Sequence, residues 1–171
     1  MSDRTLPRQG RGCSNLPIRH PAGTLHRSLA AMTSPVFAPA IGIVLLTAAV
    51  WTVAVVQRVG EIRRRRIAVQ SLARAHDTAA TLQDARAMDN YNNLMQAPLL
   101  FLVLCFALAQ AGVASPPFVA AAWAYLLLRA AHSAIQLTYN RVLHRFAAWA
   151  ASSALLFGMW AAFAGVLISS T

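Results

Sequence analysis

The stretch FVAAAWAYLLLRAAHSAIQLTY, residues 118–139, decides the fold. A helix of about 20 mostly apolar residues crosses a hydrocarbon core of about 30 Å. This stretch has that length, yet it carries Arg129 and His132 in its middle. An arginine at the centre of a membrane helix costs roughly 2.5–3.5 kcal/mol on insertion scales, so it normally faces a protein interior or a watery cavity. The two residues are therefore candidate functional groups, and the helix that bears them needs partner helices.

The rest of the chain supplies those partners. Of its 171 residues 57% are hydrophobic and 12% charged, with a mean hydropathy of +0.50, which is more apolar and less charged than an ordinary soluble domain. Four candidate spans lie at approximately 36–59, 97–113 with a polar lead-in, 118–139 and 146–168. The reading is an all-α, integral membrane four-helix bundle over residues 35–171. Residues 1–34 contain Pro, Gly, Ser and Arg without apolar periodicity and read as a disordered tail. The tail lacks the apolar run of a signal peptide. Either it is a real extension or translation begins at Met32.

A net charge of +10 would suggest nucleic acid in a soluble protein, but the basic residues are placed otherwise. All are arginine, and the densest run, Arg63 to Arg66, follows the first span directly, as in a juxtamembrane cytoplasmic loop that attracts anionic lipid. Arg141 and Arg145 lie in the third connection, while the second, 112–117, is uncharged. Positive-inside counting places both arginine-bearing loops in the cytoplasm and both termini outside. The tail arginines oppose that orientation, and the conflict vanishes with a start at Met32. Cys13 and Cys105 make no disulfide framework, and no metal-ligand spacing is present.

Two polar stripes run into the apolar spans. At about 100° per residue, Arg86, Asp89, Asn90, Asn93 and Gln96 share one face before span two. In span three Arg129, His132, Gln136 and Tyr139 share another, with Ser133 and Asn140 at its flanks. Lipid cannot satisfy such groups, so the stripes are expected to meet across a helix interface and enclose a hydrophilic site. Two readings stand side by side here. The amides are equally suited to plain interhelical hydrogen bonds of about 0.6 kcal/mol each, and Arg86 with Asp89 to a surface ion pair. Arg129 with His132, at membrane depth, points more strongly to function. Arginine forks suit carboxylates, amides suit peptide groups, and nearby cations favour a thiolate. A small anionic peptide with a thiol fits this chemistry.

These residues resemble the MAPEG family, the membrane-associated proteins in eicosanoid and glutathione metabolism. Gly60-Glu61-Ile62-Arg63 is similar to the family's Gly-x-x-Arg. Arg86, Asn90 and Asn93-Leu94-Met95-Gln96-Ala97-Pro98 resemble its helix-two signature, and Arg129-Ala130-Ala131-His132-Ser133 with Thr138 to Phe146 resembles its helix three and the start of helix four. The resemblance implies a homotrimer that binds glutathione between subunits on the cytoplasmic side of a bacterial inner membrane. Arg145, thirteen residues beyond His132, then matches the catalytic arginine that stabilises the glutathione thiolate. Arg63, Arg86, Asn90, Asn93, Gln96, Arg129, His132 and Tyr139 would hold the tripeptide.

Two departures mark a divergent, bacterial-type member. The helix-two acidic residue, which ordinarily meets the glutathione amino group, is a neutral amide here, Asn93 or Gln96 by register. The Tyr or His four residues after the helix-three His is Gln136. The implied activity is a glutathione transferase or peroxidase-like reaction on a lipophilic substrate delivered by the surrounding lipids. The alternative is a non-catalytic relative that holds another anionic metabolite or lipid headgroup. A small transporter is disfavoured because the chain shows no internal repeat or broken-helix pair.

Overall fold

The computed structural model describes residues 34–73, 78, 81–82 and 84–169. Residues 1–33 of the expected tail, with Cys13 and Met32, lie outside those residues. The elements are α1 (Phe37–Arg65), a 3-10 turn (Val69–Leu72), α2 (Arg86–Leu94), α3 (Ala97–Ala111), α4 (Pro116–Leu137) and α5 (Val142–Ser169). With α2 and α3 taken as one crossing, four helical stretches are long and apolar enough to span a membrane. This is the expected all-α four-helix bundle.

Element boundaries follow local chemistry. Helix α1 stops where Arg66 adopts a left-handed conformation (φ 51°) and Ile67 N–H donates to the Ile62 carbonyl at 3.1 Å, a capping pattern that satisfies late carbonyls. Just beyond, Arg65 Nη1 donates at 2.6 Å both to Glu61 and to the Thr81 carbonyl, tying the connecting segment back to α1. Gly112 closes α3 at φ 69°, and Pro116 and Pro117 open α4 in the first turn, where a missing N–H costs nothing. The interruption between α2 and α3 has a single cause. Pro98 cannot donate to Leu94, and its ring would press on that carbonyl, so α2 ends at Leu94 and a new helix begins at Ala97.

The core lies among α1, α3, α4 and α5. Val36, Ile43, Phe101, Leu104, Leu108, Tyr125, Leu156 and Met159 are buried together, and the Phe101 and Tyr125 rings stack with centroids 4.3 Å apart. Outside this core, Leu45, Val56, Val103, Phe106, Leu127 and Phe157 remain exposed on the helix surfaces, as suits a protein whose outer solvent is hydrocarbon. Helices α1 and α4 meet tightly at Gly42, where an added Cβ would stand 2.5 Å from a terminal methyl of Leu126. Gly42→Ala should be tolerated because that methyl can rotate away. Gly42→Leu should destabilise by about 1–3 kcal/mol through overpacking, a difference that thermal melting in detergent would read.

Candidate functional site

The two polar stripes meet, and they do so at the arginine-bearing end of the bundle. Asn90 on α2 is fully buried against α4. Its Nδ2 lies 3.4 Å from the Ser133 carbonyl, and Ser133 Oγ donates back to Asn90 Oδ1 at 3.1 Å. One turn on, Gln136 Nε2 donates to the Arg86 carbonyl at 3.3 Å. These contacts fix α2 against α4 through polar groups, while Ala87 and Leu94 of α2 are buried by packing.

Within α4, His132 is a bridge. Its Nδ1 stands 3.0 Å from the Arg145 carbonyl and its Nε2 3.0 Å from Gln136 Oε1. Both neighbours are oxygens, and a neutral ring can donate to only one of them. The bond to Arg145 pins the first turn of α5 against α4. The Arg145 side chain is itself aimed, since Nη1 donates to Asn140 Oδ1 at 2.9 Å. Asn140 can occupy that spot because it takes the left-handed conformation (φ 47°) that ends α4, a conformation asparagine adopts more readily than other non-glycine residues.

Arg129 sits one turn deeper and is 0% exposed. Its Nε donates to Tyr125 Oη at 3.2 Å, and its guanidinium lies 5.7 Å from the Tyr125 ring centre. Its two terminal nitrogens, Nη1 and Nη2, have no hydrogen-bond partner among the described residues. Five strong donors on a delocalised cation are thus satisfied at one position only. An uncompensated buried charge is costly, and a guanidinium fork with free donors is suited to an oxyanion.

The remaining expected site residues are distributed differently. Tyr139 falls beyond the end of α4, is 56% exposed and meets His144 Nδ1 through its hydroxyl at 3.3 Å, so it does not extend the stripe of Arg129, His132 and Gln136. The helical arc expected through residue 139 ends at Leu137 because the chain turns at Asn140. Gln96 occupies the break before α3 and is exposed, Asn93 is half-buried, and Arg63 is exposed at the end of α1. Arg86 pairs with Asp84 through two contacts of 3.0 and 2.9 Å, in place of the expected pairing with Asp89, and its Nη1 also reaches the Thr138 carbonyl at 3.4 Å. That guanidinium beside Asp84 holds the Asp84 carboxyl below the usual carboxylate range. A depressed folded-state pKa means that the pairing contributes at neutral pH and is lost as pH falls through the carboxylate range.

Three partners were not anticipated as such. Tyr125 lies four residues before Arg129, a spacing that places side chains in contact on a helix, so that pair was available from spacing alone. Asn140 acts on Arg145 through a turn that periodicity cannot foresee, and the reciprocal Asn90–Ser133 contact depends on the relative rotation of two helices. Among the described residues no group of His, Cys, Asp or Glu is arranged to hold a metal ion, and Cys105 is a buried free thiol.

A family model, that of the MAPEG family, matches residues 36–165, nearly the whole of the helical region. Searches of curated proteins and of solved structures gave no significant match.

Proposed function

The chain belongs to the MAPEG family, and from that premise we propose that it is a membrane-bound, glutathione-dependent transferase or peroxidase-like enzyme. The observation that carries the proposal is the buried Arg129 fork with two unpartnered terminal nitrogens. A carboxylate of glutathione is a partner of the right charge and shape for it. Asn90, His132 and Gln136, bonded within the same seam, would hold the helices that flank the tripeptide, and Arg63, Arg86, Asn93, Gln96 and Tyr139 would complete the enclosure in a homotrimer whose subunits share the site. In this reading the arginine-bearing loops face the cytoplasm, and the lipophilic substrate enters from the bilayer.

When bound, glutathione supplies a thiol nucleophile. The protein's task is to hold a cation beside it, because the thiolate is the reactive form. Arg145 is the residue suited to this task. It is half-buried, its fork is aimed by Asn140 and its backbone is fixed by His132. A guanidinium held in place before the reaction stabilises developing negative charge without reorganisation. His132 and Asn140 are positioning residues in this scheme, acting through Arg145.

A second reading has its own support. The neutral Asn93 and Gln96 offer no carboxylate for the ammonium group of glutathione, which favours a non-catalytic protein that holds a different anionic metabolite or lipid headgroup. One set of measurements separates the two. Glutathione should raise the melting temperature of the detergent-solubilised protein, as any ligand of the native state must. It should also generate thiolate absorbance and turn over a chromogenic aryl halide. Stabilisation without thiolate or turnover would leave glutathione a ligand but not a nucleophile, and no response at all would overturn the glutathione-dependent enzyme and favour the protein that holds a different anion.

A further inference from the structure

A cavity of about 410 Å³ lies beside α1 and α2, away from the contacts that join α2 to α4. It is lined by Ala54 and Arg58 of α1, Thr78, Leu82, Asp84 and Ala85 of the connecting segment, and Ala87, Met88, Asp89 and Asn92 of α2. Its volume falls in the range of roughly 300–1,000 Å³ found for small-molecule sites. Within it the charges are unevenly committed. Asp84 is occupied by Arg86. Arg58, Asp89 and Asn92 have no side-chain hydrogen bond or ion pair among the described residues, although all three line the same space. The cavity therefore presents one unpaired cation and one unpaired carboxylate that do not neutralise each other.

A group that bridges them must carry the opposite arrangement, an oxyanion for the arginine fork and a cationic N–H donor for the carboxylate. Location narrows the choice. Arg58 lies seven residues before the end of α1 and Asp89 in the first turn of α2, so both stand where the apolar crossing gives way to polar chain. Such a depth is the level of lipid headgroups, in which phosphate and amine occur together.

We propose that this cavity binds a small zwitterion carrying an oxyanion and a primary ammonium, with Arg58 receiving the oxyanion and Asp89 and Asn92 receiving the ammonium. That chemistry occurs in the headgroup of phosphatidylethanolamine and equally in free phosphoethanolamine. The site uses none of the residues assigned to glutathione above, so the two proposals stand or fall separately.

Thermal shifts of the full-length protein in a neutral detergent would test it. The probes are phosphoethanolamine, phosphocholine and glycerol phosphate, and phosphatidylethanolamine added to the micelles. A primary ammonium probe should raise the melting temperature saturably. Phosphocholine, whose nitrogen has no N–H, and glycerol phosphate, which has no cation, should not match it. Asp89→Asn should weaken the response at least about tenfold, equivalent to about 1.4 kcal/mol, while leaving the ligand-free melting temperature near that of the wild type, because Asp89 is exposed. Arg58→Gln should weaken it as well, and the Asp89→Asn result stands alone if that variant fails to fold. A response to the lipid alone, with the lipid retained as an adduct in native mass spectra, assigns the site to the headgroup. A response to free phosphoethanolamine assigns it to a soluble zwitterion. Equal shifts from all probes, no shift from any, or an unaltered response in Asp89→Asn would overturn the proposal.

Discussion

Replacing Arg129 by Met together with Tyr125 by Phe should make the ligand-free protein more stable and abolish its response to glutathione. The sign follows from what Arg129 lacks. It is fully buried, and two of its nitrogens donate to nothing among the described residues. Exchanging buried ionic groups for apolar side chains of similar volume is often neutral or stabilising, by about 1–4 kcal/mol. The second substitution matters because Tyr125 Oη accepts the one side-chain hydrogen bond that Arg129 makes, and a hydroxyl stranded by the first change would cost about 1–3 kcal/mol. In a chain of this length each kcal/mol moves the melting temperature by about 2–4 °C. A double variant that melts below wild type, or that still gains stability from glutathione, would show that Arg129 is satisfied within the fold and is no ligand-binding group.

Arg145→Ala should reduce aryl-halide turnover by about 10²–10³-fold, the effect of removing one preorganised donor from a developing anion. Loss of the cation should also shift formation of the bound thiolate to higher pH, since the thiol then ionises with the help of one charge fewer. Asn140→Gly provides the finer test. Glycine keeps the left-handed turn that Asn140 makes at φ 47° without backbone strain, but it removes the oxygen that aims Arg145. The expected result is a smaller loss in turnover, about tenfold if one charge-assisted hydrogen bond of roughly 1.5 kcal/mol or more is what fixes the fork, with folding preserved. If Asn140→Gly and Arg145→Ala are both indistinguishable from wild type in turnover and in thiolate titration, Arg145 has no catalytic role.

The four crossings could be read from the sequence because membrane insertion depends on local quantities, the length and apolarity of each run. Residues 118–139 predicted a span, and α4 occupies Pro116–Leu137. The burial of Asn90, Arg129, His132 and Gln136 was likewise legible from helical spacing. Expectations were displaced where the chain leaves the helix. Tyr139 belongs to the arc of Arg129 only if α4 continues past Leu137, and the turn at Asn140 prevents that. Gln96 shares the stripe of Arg86 only if the helix runs on unbroken, and Pro98 breaks it before that register can be kept. Arg86 chose Asp84 over Asp89 because Asp84 lies just outside the helix, where a bent chain brings the two side chains together. Such pairings depend on backbone direction at helix ends, which a fixed angle per residue does not contain.

The joint at Pro98 also bears on which bilayer suits this protein. Helix α3 has 15 residues and at about 1.5 Å per residue reaches roughly 22 Å, short of an average hydrocarbon thickness of about 30 Å. The shortfall is covered by a polar segment or by a locally pinched membrane, each at a modest cost per ångström. Helix α4, with 22 residues, has no such shortage. The second crossing reaches its full 26 residues only with the polar α2 included, so its fit is expected to depend on bilayer thickness. In a thin bilayer Asn93 and Gln96 stand at the water boundary, and in a thick one they are drawn toward the acyl chains or drag water inward with them. Hydration of the arginine-bearing end, and with it access to Arg145, should vary with the acyl-chain length of the host lipid.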